Sequence, residues 1–275
     1  MKIDPNQCVG CANCVPVCPM GAIYIAEDNL ARINEEACVE CYTCYRGLSV
    51  ENLPPKPVLF IRKVLASLGL RYQPEPDICP TGALVPVELE WPRIIRRAFS
   101  DPVVPHEVTG IVGRGTAEVK TNDVTGRIRE GEVGFVIEFG RPGVGVYFRD
   151  VDTVARALAS KDVVFERENP VTHLMTDPLQ GQIREDLLDE KVLSCILEAK
   201  IDITQVTEIL QLIMAITPSL KTVVSLGVST RCDVNGGDPL KDILVKQGFT
   251  PWRAKVNVGM GRATNSEFIL KEAIS

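Results

Sequence analysis

Cys8, Cys11, Cys14 and Cys18 are separated by two, two and three residues, and Pro19 follows directly. Three thiols at two-residue gaps let one tight loop wrap a cubane of iron and sulfide and bind three of its irons. A fourth cysteine, turned away by its proline, is available to a second cluster. Zinc sites instead pair two Cys-x-x-Cys units and have no use for a run of four closed by proline. The chemistry these residues support is iron–sulfur ligation.

The motif is repeated. Ile3-Asp4, then Cys8-Val9, Cys11 and Cys14, recurs thirty residues later as Ile33-Asn34, then Cys38-Val39, Cys41 and Cys44. The second copy has Leu48 at the fourth position, and leucine cannot bind iron. Its closing segment comes later: Cys79-Pro80-Thr81-Gly82-Ala83-Leu84 matches Cys18-Pro19-Met20-Gly21-Ala22-Ile23 at Cys, Pro, Gly and Ala. Cys79 is therefore expected to be the displaced fourth ligand of the second motif.

Over Met1 to about Leu84 these residues resemble the bacterial-type ferredoxins that carry two 4Fe–4S clusters. The resemblance implies cross-ligation, with Cys8, Cys11, Cys14 and Cys79 at one cluster and Cys38, Cys41, Cys44 and Cys18 at the other. It implies low-potential electron transfer, with a redox protein or the catalytic subunit of a larger anaerobic reductase as partner. The departure from the compact pattern is an insertion over residues 46–78. Within it Pro57–Gly69 reads as a helix, with proline at its start and glycine at its end, bracketed by Pro54, Pro55, Pro74 and Pro76. Its apolar face is expected to cover a cluster or to dock on a second domain.

The rest of the composition fits this chemistry. A hydrophobic content of 45% and a length of 275 residues suffice for two domains with real cores. The formal charge of −6 argues against nucleic acid as a partner, since phosphate binding needs a basic face. Two bound, oxidised clusters with eight thiolates would take the charge to about −10. Such a surface suits docking on basic patches of redox partners. The cysteines crowd at metal spacing, the opening Met1-Lys2-Ile3-Asp4-Pro5 is polar, and no apolar run reaches the ~18 residues of a membrane span. The expectation is a cytoplasmic, reducing and low-oxygen setting.

The elements that must position the thiols are short. Ala22–Ile25 and Leu30–Ile33 read as a hairpin around Glu27-Asp28-Asn29. Ala83–Leu89 can add a further strand, and Trp91–Phe99 reads as an amphipathic, basic helix. The reading places a ferredoxin-type domain over residues 1–100 and an α+β domain over 101–275, with the boundary near Ser100–Glu107. In the second domain the expected order is a strand over Val133–Phe139, a helix over Val151–Ala159 and a strand over Val163–Glu166. Lys191–Ile201 alternates in a way that admits strand or helix, strand being preferred. A helix over Thr204–Ile216, a strand over Lys221–Ser229, a helix over Pro239–Gln247 and a strand over Trp252–Met260 complete it. That order suggests an α+β sandwich of ferredoxin-like or ACT-like topology. This second domain would recognise a protein partner or a small anionic ligand.

Other residues offer less. Val108–Gly115 has the wrong glycine order for a dinucleotide-binding loop and no helix pattern after it. Gly113–Thr116 and Gly140–Gly145, with Lys120 between them, present Arg114, Lys120 and Arg141. These can be an anion-binding set, or two hairpin turns with solvated charges, the latter preferred. Gly113–Gly126 followed by Gly131–Gly143 resembles a segment of the 6-hydroxynicotinate reductases, which are iron–sulfur flavoproteins. That resemblance implies a substrate-reducing alternative with a flavin, although no flavin motif is legible here. A redox or metabolite sensor is a third class. Cys195 reads as a core residue, and Cys232 beside Arg231 as a thiol without a visible neighbouring base. Two histidines, His106 and His173, are thin material for a metal site or a triad.

Overall fold

The computed structural model describes residues 1–46, 55–70, 78–106, 127–141 and 143–250. In chain order its first elements are β1 (Lys2–Ile3), β2 (Ile23–Ile25), β3 (Ala31–Ile33), α1 (Thr43–Arg46), α2 (Pro55–Ser67), β4 (Leu84–Val85) and α3 (Ile94–Ser100). Then come β5 (Glu132–Phe139), β6 (Val146–Tyr147), α4 (Phe148–Ala159), β7 (Val164–Phe165), β8 (Met175–Asp177) and β9 (Gln182–Ile183). The last are β10 (Lys191–Val192), β11 (Cys195–Asp202), α5 (Val206–Ile216), β12 (Val224–Thr230) and α6 (Lys241–Lys246). The class is α+β. The strand expected over Trp252–Met260 and the stretch Val108–Gly126 lie outside the described residues.

The chain divides into two compact units. The first comprises Met1–Gly115, Gly140–Phe148 and Asp189–Cys195, and the second the remainder. A single boundary near residue 100 does not describe this division, because two short segments from later in the chain belong to the first unit. There β6 pairs antiparallel with β10, and the Leu193 N–H donates to the Ser100 Oγ of α3 at 2.9 Å. The Gly140–Gly145 turn joins them, closed by hydrogen bonds from the Val144 and Gly145 N–H groups to the Gly140 carbonyl. Gly140 has φ 90°, and a Cβ there would stand 2.7 Å from the Leu193 carbonyl oxygen, so no larger residue fits.

Within the first unit the sequence repeat becomes a structural one. The Cys8 N–H donates to the Asp4 carbonyl and the Cys38 N–H to the Asn34 carbonyl, both at 3.0 Å. The Asp4 and Asn34 side chains accept from the Asn6 and Glu36 N–H groups, so each cysteine loop is launched by the same Asx turn. The strand before each loop pairs with the strand after the other motif's Cys-Pro: β1 with β4 through Ile3 and Leu84, β3 with β2 through Ile33 and Ile23. The Asp4 N–H donates to the Ala83 carbonyl and the Asn34 N–H to the Ala22 carbonyl, each at 2.8 Å. The β2–β3 turn relies on Asn29 at φ 62°, a conformation asparagine tolerates. The further strand expected over Ala83–Leu89 is confined to the two residues of β4.

In the insertion the expected helix forms as α2, beginning at Pro55. Of its apolar residues Phe60, Ile61 and Val64 are exposed, as is Leu68 just after it. The basic stretch Trp91–Phe99 becomes helical at Ile94, burying Ile95, Arg96, Phe99 and Ser100. Phe99 packs edge-on against His106 and Phe148, each with ring centroids 5.4 Å apart.

The second unit is built on a four-stranded sheet in the order β12-β5-β11-β7. β5 and β12 pair antiparallel from Val133–Thr230 to Phe139–Val224, and β7 pairs antiparallel with β11. Lys191–Ile201 is extended, as preferred, but broken into β10 and β11 at Leu193-Ser194. α4 buries Val151, Val154, Ala155 and Leu158, and α5 buries Val206, Ile209, Leu210 and Ile213. Both sets follow the three-and-four spacing of one helix face. Asp202 and Gln205 form a capping box ahead of α5.

Candidate metal centres

Two cavities in the first unit are lined by cysteines from both motifs. One is bordered by Cys8, Cys11, Cys14 and Cys79 among apolar neighbours that include Ile3, Ile78 and Leu84. The other is bordered by Cys18, Cys38, Cys41 and Cys44 with Met20, Ile23 and Tyr42. The crossing has a local cause. β4 runs directly from the Cys79-Pro80 turn onto β1, which leads into Cys8, and β2 runs from the Cys18-Pro19 turn onto β3, which leads into Cys38. Each Cys-Pro turn therefore comes to rest beside the other motif's loop.

The two turns support their thiols alike. The Ala22 N–H donates to Cys18 Sγ and the Ala83 N–H to Cys79 Sγ, both at 3.2 Å, with Gly21 and Gly82 at φ 59° and 73° making the turns possible. Further bonds to sulfur run from the Ala31 N–H to Cys8 at 3.4 Å and from the Thr43 hydroxyl to Cys41 at 3.3 Å. Such donors favour negative charge on sulfur.

The electrostatics report the same two sets. Burial pushes the Cys44 thiol far up, and the neighbouring Cys41, Cys38 and Cys18 add to the effect. Burial raises Cys14 as well, with Cys11, Cys79 and Cys8 contributing. Burial and the nearby Glu40 push Cys38 up to about 11, and burial raises Cys41. Cys79 is the exception. Burial alone would raise it, but hydrogen bonds from the Thr81 side chain and the Ala83, Thr81 and Leu84 backbone bring it below the usual thiol value. Thiols this crowded ionise together only around compensating positive charge.

This donor set fits an iron–sulfur cluster. Each cavity offers four soft sulfur ligands, an apolar wall and hydrogen-bond donors aimed at sulfur. Among the described residues no three His, Cys, Asp or Glu side chains converge as they would on a single metal ion. The thiols stand around a space instead of on a point.

The second cavity carries a charged frame that sequence reading missed. Arg96, 7% exposed, donates from Nη1 to the carbonyls of Glu35, Glu36 and Cys38 at 3.1, 3.0 and 3.0 Å, and its Nε bonds the Glu190 carboxylate. Arg46 donates to the Cys41 carbonyl at 2.9 Å and pairs with buried Asp101, which also accepts from Arg97. Buried Glu40 is held by Arg93 at 2.7 Å and by the Met1 amine at 2.6 Å. The basic character of Trp91–Phe99 was the available signal, but nothing in its spacing pointed to the loop it clamps.

The remaining candidates disperse. Arg114 and Lys120 lie outside the described residues, and the Arg141 Nε donates to Ser194 Oγ at 3.3 Å. Cys195 is fully buried, as expected, and Cys232 is exposed. The Arg231 Nε donates to the Ile128 carbonyl at 2.6 Å. His106 is buried against Phe99, and His173 lies in a short 3₁₀ turn, Thr172–Leu174.

Comparison with known proteins bears on the cysteine region. The 4Fe-4S dicluster domain family matches residues 1–47. Ferredoxin-1 of Rhodobacter capsulatus is 46% identical over 41 residues, 15% of this chain and 62% of the relative. A ferredoxin-like protein in the vnf region of Azotobacter vinelandii is 44% identical over the same length, with the same coverage. The B component of polysulfide reductase from Wolinella succinogenes is 32% identical over 100 residues, 32% of this chain and 50% of the relative. The chain thus spans half to about three-fifths of these relatives. No solved structure matches. The N-terminal segment is a 4Fe–4S ferredoxin segment. Among the described residues no helix is long and apolar enough to cross a membrane.

Proposed function

We propose that this chain is the electron-transfer subunit of a larger reductase, with one 4Fe–4S cluster held by Cys8, Cys11, Cys14 and Cys79 and the other by Cys38, Cys41, Cys44 and Cys18. The observation that carries the ligand reading is the pair of four-thiol cavities, each drawing its fourth cysteine from the other motif's Cys-Pro turn. A bound cluster of this type accepts and returns a single electron without making or breaking a bond in the protein. The residues of the chain hold it and set its surroundings. The thiolates bind, the Ala22, Ala31 and Ala83 N–H groups steady charge on sulfur, and Ile3, Ile23, Tyr42 and Leu84 keep water from the cavities. Exposed Cys11 offers the edge of the first set to a partner.

The likeness to a polysulfide reductase component supports a place beside a catalytic subunit. We read the second unit as the part that recognises that subunit or a small anionic ligand. Its sheet order, with helices between the first and second and between the third and fourth strands, supports the ferredoxin-like or ACT-like topology. A cytoplasmic, low-oxygen setting belongs to the same proposal.

Anaerobic iron and sulfide analysis tests it, with about eight of each expected per chain. Cys79→Ala should retain about four of each, with one cluster still visible by EPR. Retention of both clusters in that variant refutes the ligand assignment. A flavin spectrum in the purified protein, together with turnover of a substrate by this chain alone, would favour the substrate-reducing alternative.

A further inference from the structure

The two thiol sets differ in what lies just outside them, and that difference gives α3 a task beyond packing. We propose that Arg96 is a positioning residue that sets the reduction potential of the cluster at Cys18, Cys38, Cys41 and Cys44 and leaves the other cluster untouched. The inference rests on the ligand reading above.

The guanidinium of Arg96 brings a positive charge to this loop. It is buried, and it hydrogen-bonds the backbone carbonyl of Cys38, a residue of the thiol set itself. Buried charges are poorly screened, so a cation hydrogen-bonded to this loop favours the form of the cluster that carries the additional electron. Its Nη1 also ties the Glu35, Glu36 and Cys38 carbonyls into one arrangement and so holds the backbone that carries the Cys38 thiol. Glu190 faces the same guanidinium from β10's leading edge. Removing Arg96 therefore subtracts a positive charge and leaves a carboxylate behind. Among the described residues, the support at the other set comes from the neutral Ala31 and Ala83 N–H groups and the Thr81 hydroxyl. A change at Arg96 has no comparable route to it.

The experiment is an anaerobic dithionite titration followed by EPR, on the intact iron-loaded chain. Wild type, Arg96→Gln, Arg96→Lys and Glu190→Gln are each first checked for iron. Wild-type iron near four instead of about eight would remove the two-cluster reading, and this inference with it, before any potential is measured. With both clusters present, Arg96→Gln should lower one midpoint so that the reduced-to-oxidised ratio of that cluster falls at least tenfold, about 59 mV for one electron. Arg96→Lys, which keeps the charge without the fork, should recover most of the shift. In a Cys79→Ala background the Arg96→Gln shift should persist, and in a Cys38→Ala background it should vanish. Glu190→Gln, which leaves the guanidinium in place, should move the same midpoint upward and serves as the test should Arg96→Gln shed iron. Unmoved midpoints, or equal movement of both, would overturn the proposal.

Discussion

Cys8 and Cys38 open their loops with the same hydrogen bond to Asp4 or Asn34, and both loops pass through left-handed backbone two and four residues later. In the first loop those positions are Gly10 and Ala12, at φ 67° and 61°; in the second they are Glu40 and Tyr42, at φ 55° and 59°. The first loop avoids the Cβ penalty at Gly10 and bears it only at Ala12. The second bears it at both positions and offsets the cost with contacts: Glu40 on Arg93 and the Met1 amine, Tyr42 on the Val87 carbonyl at 3.2 Å and beneath Arg97. One backbone solution is thus held by intrinsic permissiveness on one side and by tertiary charge on the other.

The contrast can be broken most severely at the ligands. Cys18→Ala, although it alters the first motif, should cost the second set its cluster, with iron falling from about eight to about four per chain. The surviving EPR signal should be the one that Cys79→Ala abolishes. Identical surviving signals in the two variants would dissolve the crossing.

Asp101→Asn comes next. Asp101 is fully buried between Arg46 and Arg97, and removing its charge leaves the buried Arg46 guanidinium uncompensated. A loss of about 3–5 kcal/mol in denaturant unfolding is expected. Because Arg46 also holds the Cys41 carbonyl, absorbance from the second set should bleach first.

Gly10→Ala probes the permissive side. A Cβ at Gly10 would stand 2.2 Å from the Asn29 carbonyl oxygen, in addition to the left-handed φ. A loss of about 1–3 kcal/mol is expected, expressed as weaker retention of the first set's cluster with the second unchanged. Equal loss from both sets would mean that the loops do not fail independently.

The smallest effect belongs to the second unit and serves as a control. Burial raises the Asp150 carboxyl above the usual aspartate value, against the Lys221 backbone donor that lowers it. A raised folded value means that the favourable, protonated form contributes stability at low pH and that this contribution is lost as pH rises through the folded value. Asp150→Asn should therefore gain about 0.5 kcal/mol or less at neutral pH, with the gain disappearing below pH 3.8. Neither cluster's midpoint should respond.

Much of this was legible before any fold was known, and the residues show why. A cluster ligated from one tight loop needs its cysteines at fixed short gaps, so Cys8 to Cys18 and Cys38 to Cys44 announce themselves in the primary sequence. The internal repeat carried the reading across the insertion to Cys79, since Cys-Pro-x-Gly-Ala recurs wherever that turn is built. The hairpin at Asn29 and helices α2, α4 and α5 were readable for the same reason: their signals lie within a few neighbouring residues. Arg96 was not readable in this way. It contacts Glu35, Glu36 and Cys38 across 61, 60 and 58 residues, and Glu190 across 94. No periodicity encodes partners so far apart, and a basic amphipathic helix looks the same in sequence whether it faces solvent or grips a loop. The capture of Gly140–Phe148 and Asp189–Cys195 by the first unit escaped for that reason too. Ligand chemistry depends on local spacing, so the sequence by itself singled out the thiols proposed here as ligands. Long-range charge pairing depends on where the folded chain brings its surfaces together, and only the tertiary structure decided which of the two sets it surrounds.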